Sequence, residues 1–155
     1  MMTKHFFSPR RPVLFAVALL LCSGATQAME NGENIFQNNC AVCHQPQAQG
    51  MAGLAPPLKS AQWGKYATAR RYVPGVLLGG MNGSIALENG NFIGVMPPQN
   101  RLSDEEIAAV ANYLFVTVNA QPGWKEFKAD DIAAMRQNPP AMSALRALRK
   151  QVLAK

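Results

Sequence analysis

The sequence predicts an all-α fold carrying one small β-hairpin, and three observations lead there. A helix-compatible run from Asn31 ends in Cys40-Ala41-Val42-Cys43-His44. A second helix is signalled by Ser103 with Glu106 three residues later, followed by apolar residues at helical spacing. Between the two, Asn89-Gly90 separates short apolar runs, which marks a hairpin rather than a sheet.

The N-terminus reads as an export signal. Lys4, Arg10 and Arg11 precede an unbroken apolar run from Val13 to Leu21, and small residues follow at Ser23, Gly24, Ala25, Thr26 and Ala28. This is the pattern of a secretory signal peptide cleaved after Ala28, with Ala25 as the alternative. The apolar run is shorter than the roughly 20 residues a membrane span needs, so the processed chain is expected to lack one. Cys22 falls in the discarded segment, and the bulky Leu21 before it disfavours lipidation. Three segments result: residues 1–28 as signal peptide, 29–119 as one domain and 120–155 as a C-terminal extension with short helices. Removing 28 of the 155 residues leaves 127 and takes away three of the 15 basic side chains and none of the nine acidic ones. The remaining net charge of +3 does not suggest nucleic acid.

Along the processed chain, Asn31 caps the first helix and Gly32, Phe36 and Cys40 fall on one stripe. A glycine on a buried stripe lets another helix approach. Gln45 to Ala55 reads as an irregular loop, which Pro56-Pro57-Leu58 then stiffens. Ser60 to Gly64 forms a helical turn carrying Trp63. Ala67 to Gly79 reads as a helix with Val73, Val76, Leu77 and Leu78 inward, although Pro74 makes it start late or kink. Gly79-Gly80 ends it, and a hairpin spans Ser84 to Val95. In the capped helix, Leu102 and Ile107 form a hydrophobic staple. Ile107, Val110, Ala111 and Leu114 make its buried face, with Tyr113 at the edge. Asp104, Glu105 and Glu106 are placed for helix-start electrostatics rather than catalysis.

The chemistry sits in Cys40, Cys43 and His44. Thiols at i and i+3 share a helix face, and a histidine follows directly. This is the attachment pattern of a c-type haem, with Cys40 and Cys43 bonding the porphyrin and His44 binding iron. A zinc site needs about four ligands, and outside the motif the chain offers only Cys22 and His5. A redox dithiol does not need the trailing histidine. A buried haem would supply a large apolar surface, so the fold is expected to need it. Met96-Pro97-Pro98, starting 52 residues after His44, offers a thioether as sixth ligand on a loop that the prolines hold rigid. Met81 is the rival. A proximal imidazole normally gives its other N–H to a backbone carbonyl, and the Pro56 stretch is the candidate acceptor.

With these pieces in order, the chain to about Asn119 resembles class I, monohaem, periplasmic cytochromes c. The resemblance rests on the Gly32/Phe36 helix, the CAVCH motif, Pro56-Pro57-Leu58, Gly94-Val95-Met96-Pro97 and the Ser103–Tyr113 helix. It implies a class I cytochrome c fold wrapped around one covalent haem. It also implies that the first and last core helices cross at Gly32 and Phe36 against Tyr113. The Pro56 carbonyl would accept from His44, and Leu58 would pack on the haem. The stretch from Gly80 to Leu114 resembles small cytochromes that take electrons from periplasmic dehydrogenases. The chain departs from the family at Pro74.

In the extension, Trp124 and Phe127 are expected to tuck back onto the body. Asp130 or Asp131 starts a short helix with Ile132 and Met135, which Pro139-Pro140 ends. Ala141 to Lys155 forms a basic amphipathic helix, with Leu145, Leu148 and Val152 apolar and Arg146, Arg149, Lys150 and Lys155 charged. It is either a packed tail or a docking segment for a partner. Two functions stand. One is a non-enzymatic electron carrier between a dehydrogenase and an oxidase or other cytochrome. The other is a haem protein that binds or senses a small ligand at a displaceable sixth position. A peroxidase is disfavoured because the processed chain has no second histidine.

Overall fold

The computed structural model describes residues 23–66, 69–88 and 90–154. The basic front and apolar run of the expected signal peptide lie outside them.

The first helix, α1, spans Ser23–Asn39, and the one-turn α2 follows at Ala41–His44. The expected start at Asn31 is therefore corrected. The residues before it, among them Ala25, Gln27, Ala28, Met29 and Glu30, are mostly good helix formers, and nothing there breaks the helix. The chain turns little between α1 and α2, since Cys40 N–H still bonds Phe36 O and His44 N–H bonds Cys40 O.

The helix α5, Asp104–Tyr113, starts as the sequence requires. Glu106 N–H donates to Ser103 Oγ at 3.2 Å, and Ser103 N–H donates to the Glu106 carboxylate at 2.8 Å. Helices α1 and α5 cross at Gly32. A Cβ on Gly32 would stand 2.4 Å from Ala109 O and 2.9 Å from Tyr113 Cβ, so only glycine permits this approach. One turn on, the Phe36 and Tyr113 rings meet with centroids 5.6 Å apart. A π-helical turn, Leu114–Val118, ends α5.

Between these helices lie α3 (Trp63–Tyr66), α4 (Tyr72–Gly79) and the hairpin β1 (Met81–Leu87) and β2 (Gly90–Met96). The expected start of α4 at Ala67 is corrected to Tyr72. Pro74 then falls in the first turn, where a missing N–H costs nothing, so it neither kinks nor breaks the helix. The hairpin is longer than Ser84–Val95. Its antiparallel register runs from Leu87↔Gly90 back to Met81↔Met96. Alternation places Met81, Ile85, Phe92 and Met96 on the inner face and leaves Ile93 and Val95 exposed.

The extension adds α6 (Ala129–Gln137) and α7 (Met142–Leu153). Trp124 stacks on Phe115 at 3.8 Å between centroids. Buried Asn112 holds this segment: its oxygen accepts from Trp124 Nε1 and Phe127 N–H, and its amide donates to Phe127 O. Helix α7 is packed. Leu145 and Val152 are buried, and Leu145 lies over Gly75 of α4.

Candidate haem-binding site

One cleft of about 350 Å³ gathers every residue singled out in the sequence: Cys40, Cys43, His44, Pro56, Leu58 and Met96 all line it. Met81 lines it too. Its walls are mostly apolar, with Phe36, Leu77, Val110 and Leu114 supplied by α1, α4, α5 and the turn after α5.

His44 ends α2 and is 5% exposed. Its Nδ1–H donates to Pro56 O at 2.9 Å. That bond selects the tautomer with a free lone pair on Nε2. Burial lowers the pKa of the ring, partly offset by the Pro56 carbonyl, so the neutral form is favoured. The Pro56 segment is itself anchored. Leu58 N–H donates to Ala48 O, and Asn119 donates from Nδ2 to Leu58 O and accepts from Ser60 N–H.

Cys40 and Cys43 are free thiols. Burial, and then the neighbouring Cys43, push the Cys40 thiol up to about 11. That is opposite to the depressed thiol of a nucleophilic dithiol. Among the described residues no group of three or more His, Cys, Asp and Glu side chains could hold a metal ion by itself.

Met96 is the last residue of β2, half-buried beside the buried Met81. Gly80, at φ +73°, lets the two chains close here: a Cβ would meet Met96 O at 2.7 Å and Pro98 at 3.0 Å. Gln99 N–H then bonds Leu77 O at 2.7 Å and ties the double-proline loop to α4.

The cleft fits a haem on its own evidence. A haem c is a flat apolar ring with two carboxylates. Apolar walls suit the ring. Trp63 Nε1, at the same cleft, is a buried donor without a hydrogen-bond partner, and a carboxylate would satisfy it. The sequence reading placed Trp63 on a helical turn without giving it this role. It also left Arg149 among the charged residues of α7, although Arg149 lines the cleft. A signal was present, since Arg149 follows Leu145 by four residues and precedes Val152 by three, which puts it on the apolar stripe.

Comparison with known proteins agrees. The family model for cytochrome c matches residues 29–115. A cytochrome c-552 of Thermus thermophilus is 33% identical over 141 residues, covering 88% of this chain and 95% of that protein. A cytochrome c6 of Bryopsis maxima is 35% identical over 98 residues, covering 62% of this chain and 97% of its own length. The chain belongs to the cytochrome c family, and is a monohaem electron carrier with covalently attached haem c.

Proposed function

We propose that this chain is a periplasmic one-electron carrier with iron ligated by His44 and Met96. It takes electrons from a dehydrogenase and passes them to an oxidase or another cytochrome. When bound, the haem iron supplies the Fe(II)/Fe(III) couple. The observation that carries the reading is the His44–Pro56 bond of 2.9 Å, which frees Nε2 in a cleft that Met96 also lines.

The protein's own groups do the rest. Pro56 O holds the imidazole in one orientation, and burial keeps it neutral. A thioether at Met96 is neutral too, and His/Met ligation raises the potential. The Gln99–Leu77 bond and the close Gly80 contact hold the Met96 loop still when charge changes. Val42 and Val95 line the cleft and are 76% and 75% exposed, which gives a partner an apolar edge to dock on. Export rests on the signal-peptide pattern of residues 1–28. Among the described residues no helix is long and apolar enough to cross a membrane.

The test is the absorption spectrum of the oxidised, exported holoprotein. A low-energy sulfur-to-iron band that persists when small exogenous ligands are added is expected. A five-coordinate iron would instead support the ligand-binding or sensing function.

A further inference from the structure

Arg149 belongs to α7, outside the residues 29–115 that match the family model. It is 7% exposed. Its Nε donates to Ala86 O at 2.8 Å and its Nη1 donates to the Tyr72 hydroxyl at 2.9 Å. The guanidinium lies 5.5 Å from the Tyr66 ring centroid and 5.7 Å from that of Tyr72. No carboxylate pairs with it: among the described residues the ion pair is Arg136–Asp104, and Glu88 acts electrostatically on Tyr66 without bonding Arg149. Buried charges are normally paired. A guanidinium has five N–H donors, and these two bonds leave three.

Arg149, Tyr72 and Trp63 all line the haem cleft. Tyr72 accepts from Arg149, so its own proton is free to donate. Trp63 Nε1 is buried without a partner. Three donors, one of them a cation, call for an anion with more than one oxygen. A propionate carboxylate of the haem meets that description. We propose that Arg149 is the charge partner of a haem propionate, with Tyr72 and Trp63 completing its hydrogen bonds. The C-terminal helix is then part of the cofactor site. An unpaired propionate would favour Fe(III), so pairing it raises the reduction potential. The proposal rests on the haem in this cleft and not on Met96 as ligand.

The test uses haem-loaded Arg149→Gln and Arg149→Lys. Redox titration, resonance Raman spectra of the propionate bending mode and thermal unfolding are the readouts. In Arg149→Gln the Fe(II)/Fe(III) equilibrium should move about tenfold toward Fe(III), roughly 59 mV for one electron. The bending mode should shift with it. Arg149→Lys keeps the charge but not the planar fork, so its potential should fall less while the bending mode still shifts. If the variants unfold earlier but keep the parental potential and bending mode, Arg149 only braces α7 against β1 and the proposal fails. If Arg149→Gln does not fold, an unmoved bending mode in Arg149→Lys overturns it equally. The sulfur-to-iron band is read alongside: its absence from the parent would defeat Met96 ligation and leave these readouts valid.

Discussion

Met81 stands directly opposite Met96 in the hairpin register, so the two thioethers share one face and one cleft. They differ in their surroundings. Met81 is buried at the start of β1, whereas Met96 is half-buried and continues into Pro97-Pro98. Met96→Ala should lower the midpoint potential, abolish the sulfur-to-iron band and open the iron to exogenous ligands. Met81→Ala should do none of these. Loss of the band in Met81→Ala alone would exchange the two assignments.

The walls of the cleft pack on the cofactor, so the fold should depend on attachment. Cys40→Ser combined with Cys43→Ser should give little folded holoprotein, measured by haem content and circular dichroism. A full yield of folded, haem-free chain would show that Phe36, Leu77, Val110 and Leu114 pack adequately on one another.

The Gly32 crossing permits a sharper test. Gly32→Ala gains up to about 1 kcal/mol of helix propensity. The new Cβ, however, collides with the Ala109 carbonyl, and overpacking of this kind costs about 1–3 kcal/mol. A net loss of about 1–2 kcal/mol in urea unfolding is expected. An unchanged midpoint would mean that α1 and α5 separate without cost.

Asn112 is the polar anchor of the extension. Asn112→Ala strips partners from Trp124 Nε1 and from both backbone groups of Phe127. A buried unsatisfied group costs about 1–3 kcal/mol, and water re-entry recovers part of that. A loss of about 2–3 kcal/mol is expected, with faster proteolysis beyond Gln121. Stability within about 0.5 kcal/mol of the parent would show the segment held by ring stacking alone.

The Arg136 contact separates charge from hydrogen bonding. Arg136 reaches Asp104 at 2.8 Å and also donates to the carbonyls of Asn100 and Leu102. The pair is part-exposed, so Asp104→Asn should cost no more than about 1 kcal/mol and lose its effect in high salt. Arg136→Met should cost more, at any salt, because two carbonyls lose a donor. Equal effects in urea titrations would make the ion pair the dominant interaction.

Where the sequence was legible, the cause was local. The Ser103–Glu106 capping box, the Gly79-Gly80 stop, the spacing of Cys40, Cys43 and His44 and the existence of a hairpin each depend on a few neighbouring residues. The chain alone therefore determined them. Tertiary contacts decided the rest. The hairpin extends to Met81 and Met96 because Gly80 lets β1 begin against Pro98. Pro74 is harmless because α4 begins only at Tyr72. Arg149 is buried because α7 lies across α4 and β1, where a tyrosine hydroxyl and a strand carbonyl await it. No local pattern encodes that, because the guanidinium's partners come from residues more than sixty positions away in the chain.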